Sequence, residues 1–125
     1  MSHKILIVDD EAHIRLLIEQ TLEELEDQGV AISTADNGAD ALEMIKAEKP
    51  GLVFLDVMMP KMNGFDVCQK VKRDLGMSDI YIVMLTAKGQ EFDRQRGEQV
   101  GANVYMTKPF DPDELLAKAT QVLGL

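Results

Sequence analysis

Five short apolar runs, each leading through a polar strand end into a helical segment, constrain this chain more than any other feature. Ile5–Val8, Ala31–Ala35, Leu52–Leu55, Tyr81–Leu85 and Val104–Met106 read as strands. They are short, and Ile5–Val8 is rich in β-branched residues, which suits a buried strand. Between them the apolar spacing turns helical. Ile14, Leu17, Ile18, Thr21, Leu22 and Leu25 form one stripe, closed near Gly29. Asn37 with Asp40 resembles a cap, and Ala41, Leu42 and Ile45 continue that helix toward Pro50. Phe65, Cys68, Val71 and Leu75 mark a third helix, closed near Gly76, and a more polar fourth is expected around Phe92–Val100. Asp111-Pro112-Asp113-Glu114 is a helix start with cap, proline and acids in order. Strands alternating with helices give an α/β fold, a (βα)5 doubly wound parallel sheet with right-handed crossovers. The expectation is one domain over residues 1–125, with no linker or repeat.

Charge narrows the function classes. The chain has 13 Lys plus Arg against 22 Asp plus Glu, a net charge of -9. Such a surface opposes nucleic acid and anionic lipid. Cys68 is the single cysteine, so neither an intrachain disulfide nor a cysteine-based zinc site can form. No apolar run approaches the roughly 20 residues of a membrane helix, and the N-terminal run exits into Asp9-Asp10-Glu11, unlike a signal peptide. The expected location is cytoplasmic.

In an open parallel sheet, ligands bind beyond the carboxyl ends of the strands. The strand ends here are Asp9-Asp10, Asp36-Asn37-Gly38, Asp56, Thr86-Ala87 and Thr107-Lys108-Pro109. Each has a plain structural reading alone. Asp10 could cap the first helix, Asp56 could be a loop acid, Thr86 could bond backbone, and Lys108 could be a solvated lysine. Together they put three carboxylates, a hydroxyl and an ammonium on one edge. Clustered carboxylates repel unless neutralised, and a hard divalent cation does this well. A cation, a lysine and a hydroxyl around a carboxylate suit phosphoryl transfer to that carboxylate. Lys108 would neutralise one phosphoryl oxygen and Thr86 would hydrogen-bond another.

These motifs, with Leu55-Asp56-Val57-Met58-Met59-Pro60, Met62-Asn63-Gly64, Leu85-Thr86-Ala87 and Lys108-Pro109-Phe110, resemble the receiver domains of two-component response regulators, the CheY-like family. The resemblance spans essentially the whole chain. It implies a flavodoxin-like strand order 2-1-3-4-5. It implies Asp56 as phosphoacceptor, and Asp10, Asp56 and the Met58 carbonyl as Mg2+ ligands, with Mn2+ as a substitute. Asp9 would act through water. Thr86 resembles the switch hydroxyl, Lys108 the phosphate-binding lysine and Tyr105 the signalling aromatic. Ala87 is small enough for a phosphoryl group to lie over it, and the Lys108–Pro109 bond is expected to be cis. The implied donor is a sensor histidine kinase or histidine phosphotransfer protein. Phosphorylation would remodel the face built from the fourth helix, fifth strand and fifth helix, toward a downstream protein, a fused effector or a homodimer. Such a protein is not an enzyme beyond its own phosphorylation and dephosphorylation. Neither direct nucleic-acid binding nor membrane binding is implied. Lys88 stands where the family tunes dephosphorylation.

Other residues are weaker. Met58, Met59 and Met62 read equally as a binding patch or as packing. Cys68 reads as inert core, and His3 and His13 as surface. The acidic surface of the first helix reads as a solvated face, or by family analogy as kinase-docking surface. Flavin binding would want a Ser/Thr/Gly-rich loop after the first strand, where Asp9-Asp10-Glu11 would repel phosphate. An aspartate-nucleophile phosphatase would want an acid at position 58, which is Met. A docking module independent of phosphorylation remains the other class, and so does a receiver serving an effector domain absent from this chain.

Overall fold

The computed structural model describes residues 3–87, 95 and 99–125. Its elements are β1 (Lys4–Val8), α1 (Ala12–Glu26), β2 (Ala31–Ala35), α2 (Gly38–Glu48), β3 (Leu52–Asp56), α3 (Gly64–Gln69), β4 (Tyr81–Ala87), β5 (Val104–Lys108) and a C-terminal helix (Pro112–Leu123). All strand pairs are parallel, and the sheet order is β2-β1-β3-β4-β5. This is the flavodoxin-like order that the sequence resemblance implies.

The register explains the two-sided core. Ile5, Ile7, Leu52, Phe54, Val83 and Leu85 point to one face, where α1 and the C-terminal helix cover them with Ile18, Leu22, Leu115 and Ala119. Leu6, Val8, Val53, Leu55, Ile82 and Met84 point to the other, under α2 and α3 with Ile45, Phe65, Cys68 and Val71. Side chains alternate along a strand, so a strand covered on both faces must be apolar throughout. Central β3 is buried at every residue.

The helix starts follow local chemistry. Asn37 caps α2 by accepting the Asp40 N–H at 2.9 Å, and Asn63 caps α3 through the Asp66 N–H at the same distance. Asp111 caps the C-terminal helix through the Asp113 N–H, with Pro112 opening the first turn.

Some expectations shift. Leu17 is 42% exposed and Leu16 55%. The buried stripe of α1 centres on Ile18, and one residue back lies about 100° around the helix, off the core face. Leu75, expected on the core face of the third helix, is exposed. The regular helix ends at Gln69 and widens into a π-helical turn over Lys70–Asp74, whose closing bond runs from the Leu75 N–H to the Lys70 carbonyl. The wider turn breaks the helical phase that carried Cys68 and Val71 inward. Strands β4 and β5 also run further than their apolar runs, to Ala87 and Lys108. Lys88 and most of the fourth helix expected around Phe92–Val100 lie outside the described residues. No described helix is long and apolar enough to cross a membrane.

Phe54 is fully buried in the central strand. Replacing it with Ala is expected to cost about 3–5 kcal/mol in a urea melt. Leu16→Gln, on an exposed helix position, is expected to stay within about 0.5 kcal/mol.

Candidate functional site

Parallel pairing brings the strand ends to one edge. Val8 pairs with Leu55, so the residues that follow, Asp9 and Asp56, come side by side. Asp56 pairs with Leu85, and Leu85 with Met106, two residues before Lys108. Alternation puts Asp9, Asp56 and Lys108 on the face of Ile7, Phe54 and Met106. There Lys108 Nζ donates to Asp9 Oδ2 at 2.7 Å and to Asp56 Oδ1 at 3.0 Å. One ammonium from β5 ties the carboxylates that end β1 and β3. The Lys108–Pro109 peptide that follows is cis.

Asp9 is fully buried. Its Oδ1 accepts the Glu11 N–H at 2.9 Å, so both carboxylate oxygens are engaged. Its backbone carbonyl accepts from Arg15 Nη1 at 2.8 Å. Asp10 is exposed. The N-cap position of α1 falls on Glu11, without a side-chain cap, so the capping role open to Asp10 is not taken up. One oxygen each from Asp9, Asp10 and Asp56 lies within 4.8 Å of the others.

Three carboxylates face one ammonium, and the electrostatics follow. Burial raises the Asp56 pKa, and the charge of Asp9 raises it further. The hydrogen bond and charge of Lys108 pull it back in part, Asp10 adds a smaller push, and the result is about 6 against an ordinary 3.8. Burial alone would lower the pKa of Lys108, but its bonds to Asp9 and Asp56 outweigh this and raise it. Lys108 is therefore firmly charged beside a carboxylate that ionises reluctantly. The donor set fits a hard divalent cation: hard oxygens converge, the residual charge is negative, and Asp10 opens to solvent. Asp9, with both oxygens engaged, fits a role at one remove.

A cavity of about 380 Å³ opens over this cluster, lined by Asp10, Glu11, Asp56, Val57, Met58, Leu85 and Lys108. At about 30 Å³ per water, it has room for a phosphoryl group and several waters. Met58 is 70% exposed over it, whereas Met59 and Met62 pack against the core. The two readings of the methionine loop thus divide between its residues.

Thr86 is buried at the end of β4 and does not line this cavity among the described residues. Alternation puts it on the face of Met84, whose partner in β5 is Tyr105. Tyr105 is half-buried and lines a larger cavity, about 700 Å³, between β5 and the C-terminal helix. Asp111, Glu114 and Lys118 line that groove without an ion pair between them among the described residues, unlike the bridged cluster of Asp9, Asp56 and Lys108. Ala87 pairs with Lys108 in the register. Cys68 is buried, its S–H donates to the Val100 carbonyl at 3.5 Å, and burial pushes the thiol pKa up to about 11. His3 and His13 are exposed, and His13 lies 3.5 Å from the Glu11 carboxylate. Glu11 and Arg15 were not candidates from sequence: their part depends on how the turn after β1 folds back on Asp9.

The sequence model of the response regulator receiver domain matches residues 5–120. The probable transcriptional regulator ycf27 of Porphyra purpurea is 48% identical over 98% of this chain and 48% of its own length. The alkaline phosphatase synthesis transcriptional regulatory protein PhoP of Bacillus subtilis is 44% identical over 98% of this chain and 49% of its own. The chain spans about half the length of these curated relatives. Among solved structures, the chemotaxis response regulator CheY4 of Vibrio cholerae superposes with a TM-score of 0.83 at 33% identity, over 98% of this chain and 99% of that one.

The raised Asp56 pKa carries a stability consequence. Its folded pKa lies above its unfolded one, so its contribution is fully present below about pH 4 and is lost as pH rises through about 6. Without divalent cations, Asp56→Asn is expected to stabilise the fold by about 1–3 kcal/mol at pH 7. Chemical denaturation against pH should show that gain vanishing below about pH 4.

Proposed function

From its membership of the response regulator receiver family, to which the chain belongs, we propose that this domain is a phospho-accepting switch with Asp56 as acceptor. The observation that carries the reading is Lys108 bridging Asp9 and Asp56 beside the solvent-open Asp10. Asp56 is the carboxylate at the cavity floor, and with a pKa near 6 it is largely ionised at neutral pH. It would attack the phosphorus of a phosphohistidine presented by a sensor kinase or histidine phosphotransfer protein. The new bond forms from the Asp56 oxygen to phosphorus as the bond from phosphorus to the imidazole nitrogen breaks. The electron pair returns to that nitrogen, which takes up a proton.

Asp10, Asp56 and the Met58 carbonyl would hold Mg2+, or Mn2+ in its place, and the ion would supply charge neutralisation between carboxylates and phosphoryl oxygens. Lys108, already 3.0 Å from Asp56, would neutralise a phosphoryl oxygen. Thr86 would hydrogen-bond another by turning toward the new group. Thr86 shares a sheet face with Met84 and its partner Tyr105, so that movement would open space beside the tyrosine. The β5 face would then change shape. Shifting such a switch from mostly off to mostly on needs on the order of 5 kcal/mol of differential stabilisation, within reach of several charge-assisted bonds. Water attack on the aspartyl phosphate resets it. Its chemistry would be confined to its own phosphorylation and dephosphorylation.

Relatives twice as long that are named as transcriptional regulators favour one output in particular, control of an effector domain by this switch. Docking to a separate protein is the second reading, and the match to CheY4 along nearly its whole chain favours it.

Acetyl phosphate with Mg2+ is expected to add one phosphoryl group by intact mass, lost without the ion and in Asp56→Asn. No adduct with several donors would contradict the mechanism. Thr86→Ala is expected to accept the phosphoryl group yet lose the accompanying shift of the Tyr105 ring signals in NMR spectra.

A further inference from the structure

The loop from Val57 to Asn63 walls the site, since Val57 and Met58 line its cavity. Its ends are closed by the Gly64 N–H, which donates to the Val57 carbonyl at 2.8 Å. Its far bend is unusual. The Met62 N–H donates to the Pro60 carbonyl at 2.8 Å, and Lys61 between them has φ +68°. That is a γ-turn with its central residue in the left-handed region, a strained conformation for lysine. Such strain persists only where surrounding structure holds it.

The start of α2 packs directly against this turn. A Cβ built on Gly38 would collide with the Met62 carbonyl oxygen and would lie 2.7 Å from both the Met62 carbonyl carbon and its Cβ. The obstacle is mainly backbone, which cannot swing aside as a side-chain tip can. Gly38 itself is buried, and the Asn37 cap fixes the helix end that carries it. The absent side chain thus allows helix and loop to touch directly.

We propose that Gly38 is a positioning residue of the phosphorylation site. Its contact with Met62 keeps the strained turn at Lys61 closed, and the closed turn sets where the Met58 carbonyl stands. The inference rests on the proposed reading of that carbonyl as a Mg2+ ligand. A methyl group at position 38 would push the loop away and spoil the ligand set without touching a carboxylate. Lys61→Val would open the same turn from within, because a β-branched residue tolerates positive φ far less than lysine does.

The test is calorimetric titration of magnesium chloride into the full chain. Gly38→Ala is expected to weaken Mg2+ binding by roughly tenfold, in the range of changes behind metal ligands. Lys61→Val is expected to weaken it in the same direction, at an exposed loop position where the fold itself should persist. It keeps the test open if Gly38→Ala folds poorly. Gly29→Ala is the control. Gly29 has φ +90° with nothing within 4 Å and precedes β2 at the opposite edge of the sheet, so the variant should melt earlier yet bind Mg2+ as the wild type does. At saturating Mg2+, Gly38→Ala should recover most of its phosphorylation rate with acetyl phosphate. Unchanged affinity in Lys61→Val, or in a folded Gly38→Ala, while the wild type binds, overturns this inference alone. A wild type that takes up no Mg2+ overturns the proposed function and this inference with it.

Discussion

One ammonium group facing too many carboxylates is the constraint on which the rest of this molecule turns. Lys108 reaches Asp9 at 2.7 Å and Asp56 at 3.0 Å, and Asp10 stands within 4.8 Å of both acids. A site built for stability alone would balance those charges. This one leaves an excess of negative charge where burial already disfavours it, and Asp56 carries the strain as a raised pKa. Such imbalance is a natural receptor for cations, and functional sites are where it concentrates. The fold sustains it because β3 is buried at every position and flanked by strands in strict register. The backbone of Asp56 is thereby fixed at the floor of the cavity.

The same sheet places the other strand-end residues on two different faces. Asp56 follows the alternation of the face under α1 and the C-terminal helix, while Thr86 and Tyr105 follow the other. A group at the strand ends can therefore be read on both sides of the sheet. The 700 Å³ groove along β5 lies where Tyr105 emerges, clear of the acidic cluster. The acidic cavity and the groove beside Tyr105 occupy different surfaces joined by two adjacent strands.

Most of the fold was legible because strand and helix periods are strong local signals. The acids were legible because parallel strands must deliver their ends to one edge. Lys108 could be placed on the same edge as Asp9 and Asp56, although it lies 99 positions from Asp9, but its bonds to both acids could not be read. What stayed hidden depends on shape rather than pattern. Leu17 satisfied an apolar stripe yet lies beside the true core face. Leu75 fell out of phase because a widened turn after Gln69 leaves no apolar signature. Asn37-Gly38 read as a cap, and it is one. Nothing in the sequence tells that its glycine abuts Met62 across two loops. Arg15 on the Asp9 carbonyl was equally invisible, since a backbone acceptor has no residue identity.

The most direct test of the account is the Asp56 carboxyl pKa itself, followed by carbon NMR through a pH titration with and without Mg2+. The account predicts titration near 6 in the metal-free protein, falling well below the ordinary carboxylate value when Mg2+ is bound. A metal-free Asp56 that titrates as an ordinary aspartate, and does not respond to Mg2+, would contradict it.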